Sequence, residues 1–370
     1  MNHSRNILYL FDLVQDLDLL LPLVRETRFE KSLSPVVCVT DRLLQHSPRV
    51  GKSLKALDLP LTKVPRRDIL VGFAPPLDNV MALVVACEST ASAHLAPHRL
   101  VARANQSGIA TFTLQHGYEN IGLTYFDNDF PAETTDFASQ HILTWGSLER
   151  LHPSVKAGVK ARCIPVGCPK DIMVSPPKFE NPADRPYVVS VFENLHWTRF
   201  DAEQRSLFLC HLRSMAMKFT DTTIIVKPHH DECWIVRQPH DELRGLKNLV
   251  IAHPKRKQWE PFTATGLLAI SDAVITTPST VALDAARAGL PVALFAEKLI
   301  LDNYSPLTML KRADDWFLFV RGTRIEIQRR ALIRKSQDFV RAVLMPEPVL
   351  SRILHVIKEK CAMQEKAYAT

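Results

Sequence analysis

Three short segments of the chain combine residue types that can hold an anion or move a proton. The first runs from Ala273 to Phe295, where Val274-Ile275-Thr276 reads as a buried strand and Thr277 stands where it could cap a helix beginning at Pro278. Proline suits a first helical position because its missing N–H has no partner there, and a threonine cap satisfies one of the amides behind it. Ser279 and Thr280 add hydroxyls at the positive end of the helix dipole, so this helix start is expected to take a phosphate. Asp284 lies four residues after Thr280 on the same helical face, and Gly289 is expected to end the helix before Leu290-Pro291 enters the next strand. Any α/β domain also needs capped helices, so the segment acquires meaning only from its companions.

The second segment is Val226-Lys227-Pro228-His229-His230, expected at the carboxyl end of a strand from Thr223. Ligands of open parallel sheets sit outside the carboxyl ends of the strands, so Lys227 and His229 would clamp a diphosphate held at Ser279 and Thr280. A plain surface loop, with His230, Asp231 and Glu232 attracting a stray metal, is the competing reading. The third is Gln115-His116-Gly117-Tyr118-Glu119-Asn120, leaving the strand Ala110 to Leu114. His116 there can act as general base or hydrogen-bond a ligand, because imidazole titrates at about 6.5. Gly117 permits close approach of a ligand to backbone, and Gln115, Gly117 and Glu119 are the expected acceptor contacts. Glu88, beside Ser89 and Thr90, could deprotonate an acceptor hydroxyl or could help cap the next helix; Glu193 with His196 is a comparable candidate for a base or ribose of a nucleotide donor.

Such residues need a scaffold that brings strand ends together, and the hydrophobic pattern supplies one. Short β-branched runs alternate with segments of helical period, as in βαβ units building a parallel sheet. Strands are expected at Ile7 to Phe11, Pro35 to Val39, Met81 to Ala86, Ala110 to Leu114 and Ile142 to Trp145, with helices over Leu17 to Thr27 and Ala93 to Gln106, the latter stopped by Ser107-Gly108. Met173 to Pro186, with four prolines and no apolar period, reads as a linker. Beyond it come strands Tyr187 to Phe192, Thr223 to Lys227, Leu249 to Ala252, Ala273 to Thr276 and Pro291 to Phe295, with helices Ala202 to Phe219, Trp259 to Ile270 and Ser279 to Ala288. Gln328 to Leu344 and Val349 to Ala367 are helical in period, broken by Pro346-Glu347-Pro348. The expected division is therefore a first domain over 1–172, a second over 187–345, and a C-terminal helix over 346–370 that crosses back to the first. Trp145-Gly146 and Val166-Gly167 are hinge material or simple turns.

Composition narrows the functional class. With 370 residues the chain is too long for one ordinary core, and 46% apolar with 23% charged residues is the balance of a globular protein. The N-terminus lacks the pattern of a secretory signal, so a cytoplasmic location is expected. The seven cysteines are scattered without a CxxC pair, which argues against a disulfide framework or a structural zinc site. A net charge of +7 suits anionic partners, but the clusters Arg66-Arg67, Lys255-Arg256-Lys257 and Arg329-Arg330 lie apart and lack interleaved aromatics, so nucleic acid is not the expected partner. Val50-Gly51-Lys52-Ser53 lacks the first glycine of a phosphate loop and follows no strand. No DxD stands in a convincing strand-end loop: Asp16-Leu17-Asp18 falls in the first helix, and Asp127-Asn128-Asp129 in a loop of no clear placement.

Taken in order, Gln115-His116-Gly117, Lys227-Pro228-His229 and Thr277-Pro278-Ser279-Thr280 with Asp284 resemble the motifs of GT-B glycosyltransferases. The resemblance points particularly to the CDP-glycerol glycerophosphotransferase group and the capsule or lipopolysaccharide Kdo transferases. It implies two Rossmann-like domains facing a central cleft, a nucleotide-sugar or CDP-glycerol-type donor, a glycan or lipid-linked acceptor, and no metal or other cofactor. On this resemblance His116 is the candidate catalytic base, and Lys227, His229, Ser279 and Thr280 contact donor phosphates. The sequence departs from the glycerophosphotransferase pattern in having His229-His230 where a His-Pro pair is usual, and it lacks the acidic pair plus glycine of many CMP-sugar transferases. A lipid-linked acceptor would bring the chain to the inner face of a membrane as a peripheral protein. Two other readings stay open: a sugar-nucleotide 2-epimerase, and a non-catalytic nucleotide-binding scaffold for polysaccharide assembly.

Overall fold

The computed structural model describes residues 5–125, 128–172, 185–229, 233–237, 240–254, 256–259 and 262–369. The linker expected at Met173 to Pro186 therefore falls almost wholly outside the described residues, as do His230, Asp231, Glu232 and Asp127. The chain divides into two compact units, Met1–Asp171 with Val343–Thr370, and Ile172–Ala342.

The first unit is built on a seven-stranded sheet: β1 (Arg5–Phe11), β2 (Leu33–Thr40), β3 (Leu61–Val64), β4 (Val80–Val85), β5 (Ala110–Leu114), β6 (His141–Thr144) and β7 (Cys163–Pro165). Its order is β3-β2-β1-β4-β5-β6-β7, and each neighbouring pair is parallel. Strands covered on both faces must be apolar along their length, which is why β1, β4 and β5 read so clearly in the sequence. Leu8, Leu10, Leu83 and Val85 pack there with Leu100, Val101 and Ala104 of the helix Leu95–Gln106. That helix stops where expected, with Gly108 at φ 71°.

The second unit carries a six-stranded parallel sheet of β8 (Tyr187–Glu193), β9 (Thr222–Pro228), β10 (Leu249–Ile251), β11 (Ala273–Thr276), β12 (Val292–Phe295) and β13 (Thr308–Leu310), in the order β10-β9-β8-β11-β12-β13. The helix Ala202–Lys218 opens with a capping box of Asp201 and Gln204, each side chain meeting the other's backbone amide. Its Phe208 meets Phe295 and Trp316 edge-on, with ring centroids 5.3 and 5.7 Å away, so β12 and the helix Ala313–Arg324 share one aromatic core.

Several elements differ from expectation, five of them in the sheets and the helices packed on them. β3, β7 and β13 were not anticipated because each closes an edge of its sheet and is three or four residues long, too short and too exposed for a continuous apolar run. The helix Ala313–Arg324 was also missed, although it buries Trp316, Phe319 and Val320. The helix expected over Trp259 to Ile270 shrinks to Ala264–Leu268, capped by Thr263.

The prolines at 346 and 348 do break the C-terminal helices, which span Glu326–Val343 and Val349–Ala369. The last helix belongs to the first unit, with Gln364 Nε2 donating to Gly108 O at 2.9 Å and Arg5 paired with Glu365 at 3.0 Å. The described residues contain no helix long and apolar enough to cross a membrane. Gly146 and Gly167 are docking points for this returning chain: a Cβ on Gly146 would stand 2.4 Å from Val343 O, and one on Gly167, held at φ +103°, 2.6 Å from Val349 Cγ2.

Alanine at either position should accordingly cost about 2 kcal/mol or more and lower the melting temperature by several degrees. Gly158→Ala, where an added Cβ meets nothing within 4 Å and φ is not left-handed, should leave the melting temperature unchanged or slightly raised.

Candidate functional site

In both sheets the strand order reverses beside the first strand, between β1 and β4 in one unit and between β8 and β11 in the other. At such a reversal the connections leave on opposite faces of the sheet, and the diverging loops leave a crevice at the carboxyl ends. In the second unit this crevice carries most of the expected donor residues. Glu193 ends β8, Lys227 lies at the end of β9, and Thr277 to Thr280 follow β11.

Backbone hydrogen bonds fix these ends side by side. His229 N donates to Glu193 O at 2.9 Å, and Thr277 N donates to Phe192 O at 3.0 Å. Asn194 then stitches across the reversal: its N donates to Thr277 Oγ1 at 3.0 Å, Thr277 Oγ1 donates to Asn194 Oδ1 at 2.5 Å, and its Nδ2 donates to Pro278 O at 2.9 Å. Arg199 adds a second hydrogen bond to Pro278 O at 2.7 Å. The His196 ring stacks on His229 with centroids 4.8 Å apart.

The helix start differs from expectation by two residues. Thr277 does not cap it, because its hydroxyl is spent on Asn194. The helix is Thr280–Arg287, and Ser279 is the cap, its Oγ accepting from Val281 N at 3.2 Å. Pro278 therefore lies before the helix, where its carbonyl anchors Asn194 and Arg199. Asp284 is buried in this helix, and Gly289 at φ 75° closes it as expected. Lys227 and Ser279 are both half-buried, at the ends of the two strands that flank β8.

Glu193 is the unusual titrating group of the crevice. Burial pushes its pKa up to about 7, against the lowering effects of hydrogen bonds from Leu195 and Ile235 amides and of the Arg205 charge. Oε2 accepts from Leu195 N at 2.9 Å, while Oε1 is buried without a partner. A carboxylic acid there can present a hydroxyl donor near neutral pH.

In the first unit the reversal is occupied by Asp12, Asp16, Cys87 and Glu88. Asp16 Oδ2 accepts from the Asp12 and Leu13 amides, both at 2.7 Å, and burial pushes the carboxyl up to about 8. Glu88 is fully committed: Oε1 accepts from Ser139 N at 2.7 Å, and Oε2 from Ala138 N at 3.1 Å and His98 Nδ1 at 2.7 Å. This network ties β4 to the segment before β6, so Glu88 serves as a structural anchor. Gln115 is likewise an anchor, its Oε1 accepting from Trp145 N and its Nε2 donating to Gly117 O, both at 2.9 Å. Gly117 is not in the left-handed region, so its turn does not require glycine for φ.

His116 is held between these two anchors. Its pKa is driven well below the usual value by burial first, then by the neighbouring His94 and the Lys170 charge, so the ring is neutral at pH 7. His94 meets it edge-on at 5.2 Å and is itself lowered to about 4, mainly by burial. Sequence reasoning missed His94, Asn194 and Arg199, because each acts through a partner on another strand; an asparagine directly after a strand end was the one signal available for Asn194.

Glu193→Gln fixes the neutral form, so its effect should depend on pH with a definite sign. A carboxyl whose folded pKa is raised loses stability as pH climbs from about 4.5 to about 7. The variant should therefore melt a few degrees above the wild type at pH 8 and alongside it at pH 5; a pH-independent difference would contradict the burial of this acid.

No family model matches the chain, and no curated protein matches its sequence. Solved structures do match in fold. A putative UDP-N-acetylglucosamine 2-epimerase from Listeria monocytogenes aligns with TM-score 0.67 at 12% identity, covering 97% of both chains. The UDP-GlcNAc 2-epimerase from Neisseria meningitidis bound to UDP-GlcNAc aligns with TM-score 0.63 at 13% identity, over 96% of this chain and all of that one (100%). The wall teichoic acid polymerase TagF, in a structure with CDPG, aligns with TM-score 0.60 at 11% identity over 98% of this chain and 90% of that chain. At these identities the likeness concerns architecture: two parallel-sheet α/β units of the GT-B type.

Proposed function

We propose that the chain is a nucleotide-dependent GT-B transferase that moves a sugar or glycerophosphate group onto a hydroxyl of a surface-polysaccharide or lipid-linked acceptor. The observation that supports this reading is the reversal in the second unit, where the end of β9 carrying Lys227 and His229 and the helix start at Ser279 after β11 flank the end of β8. A donor diphosphate would be held by Lys227, His229 and the hydroxyls of Ser279 and Thr280, with the helix dipole behind them. Glu193 and Asp284 would take hydroxyls of the donor's nucleoside or transferred group.

In the transfer, the acceptor oxygen bonds to the donor carbon or phosphorus as the bond to the nucleotide phosphate breaks. The electron pair leaves on that phosphate, and the acceptor proton passes to the neutral imidazole of His116. Lys227 and the helix terminus stabilise the charge that develops on the departing phosphate. Gly117 and Glu119 would contact the acceptor, while Gln115 positions the loop. This chemistry needs neither a metal nor another cofactor. The epimerase reading has the support of the fold neighbours, but inversion at a carbon requires one group to remove a proton and another to return it. In the first unit Glu88 is already spent on three hydrogen bonds, which favours transfer with a single imidazole base.

Melting of the purified protein with CMP, CDP, UDP, GDP and their conjugates tests the donor site, because a ligand bound only by the folded state raises the melting point. One nucleotide family should shift it, and Lys227→Ala should abolish the shift. Ser279→Asp separates capping from binding: aspartate caps as well as serine but repels a phosphate, so stability should hold while the shift disappears. No shift with any nucleotide would sink the proposal, and conversion of a nucleotide sugar without acceptor would assign the chain to the epimerases.

His116→Ala should keep the nucleotide shift and lower transfer by about 10²–10⁴-fold. Because the His116 pKa lies below the ordinary value, the acid limb of the rate profile should fall below pH 6.5 rather than at it. Activity unaffected by the substitution would instead indicate a scaffold or a different base.

A further inference from the structure

The first-unit reversal surrounds His116 with two further ligand-type side chains, Cys87 and His94, that the transfer chemistry does not use. One ligand atom each from Cys87, His94 and His116 lie within 4.8 Å of one another. They come from the loop after β4, the turn Ser92–His94 and the loop after β5, so they converge only in the folded unit. Cys87 and His94 are buried, and half-buried His116 leaves one side open to solvent. His116 Nδ1 is buried with no hydrogen-bond partner, an uncompensated polar atom on one member of the cluster.

We propose that Cys87, His94 and His116 bind a divalent transition-metal ion of the zinc class, leaving its fourth position open. One thiolate and two imidazoles are the donor set such an ion prefers over magnesium or calcium. Tetrahedral bonds of about 2.0–2.1 Å to nitrogen and about 2.3 Å to sulfur place ligand atoms roughly 3.3–3.6 Å apart, so a pair at the 4.8 Å limit must close by about 1.2–1.5 Å through side-chain rotation. His94 is already oriented: Nδ1 meets Ser89 Oγ at 2.8 Å, and Ser89 Oγ accepts from Ala91 N at 3.2 Å. With Nδ1–H donating to Ser89 Oγ, the Nε2 lone pair is left for the ion, the orientation usual for a metal-bound histidine. Binding exchanges the Cys87 S–H proton for an S–metal bond and releases that proton to solvent. On the transferase reading the ion also takes the His116 lone pair, so an occupied site cannot accept the acceptor proton and the metal acts as an inhibitor.

Titration of the full, tag-free chain with Co(II) tests the site without any nucleotide. One equivalent should produce sulfur-to-cobalt charge-transfer absorption with tetrahedral visible bands, and one equivalent of Zn(II) should displace it. Cys87→Ala should abolish the charge-transfer band, His94→Ala should weaken binding at least tenfold, and Ser89→Ala about tenfold. Cys210→Ala, at the exposed cysteine, should change nothing. Absence of the band in the wild type overturns the proposal whatever the variants do, as does a band that survives Cys87→Ala or vanishes in Cys210→Ala. A cobalt spectrum without nucleotide binding would leave this site standing and sink the transferase reading. Transfer that Zn(II) leaves untouched while the spectrum forms would overturn the inhibitory consequence.

Discussion

The second unit depends on one seam of hydrogen bonds, the exchange between Asn194 and Thr277 across the reversal of the sheet. Parallel strands can be brought side by side by packing alone, but packing does not fix where the loops beyond them point. Asn194 meets Thr277 and Pro278 with three hydrogen bonds, and Arg199 adds a fourth to the same carbonyl. These leave Ser279 as the first residue able to cap the following helix, which sets the direction of its dipole. The position of this helix start thus follows from a side-chain interaction on the neighbouring strand rather than from the helix itself.

The first unit meets the same topological problem with charge and with the returning C-terminal helix. Glu88 ties β4 to the segment before β6, Gln115 ties the β5 loop to Trp145, and His116 is left between two anchors with its ring buried. Burial keeps the imidazole neutral, which is the state needed both by a proton acceptor and by a metal ligand. The cost appears at acid pH: His94, with a folded pKa of about 4, contributes stability that is fully present above about pH 6.5 and is lost as the pH falls toward 4. Buried groups whose titration opposes folding are a recurring mark of sites kept for chemistry, and Glu193 and Asp16 share the property in the opposite direction.

Much of the architecture was legible in the residues because fully parallel sheets demand continuous apolar strands. β1, β2, β4, β5 and β6, and then β8, β9, β10, β11 and β12, all stand where their apolar runs place them. The edge strands β3, β7 and β13 were hidden, because an edge position relaxes that demand. Site residues were legible where they leave a central strand: Lys227, His229 and Ser279 by type and position, Gln115 and His116 by their turn.

The chain's own order of amino acids thus determined the two-unit α/β class, the central strands, and the strand ends at which chemistry would gather, since local periodicity and capping act over a few residues. Tertiary structure alone decided which candidates are tied to the backbone of distant segments. Glu88 and Gln115 carry reactive groups in the sequence, yet each is used up by backbone amides or carbonyls that lie up to 51 residues away. Cys87 and His94 read as ordinary core residues until the fold sets them beside His116. A hydrogen bond or a metal ligand set is specified by distance in space, and only the packed chain brings such distant positions within a few ångströms.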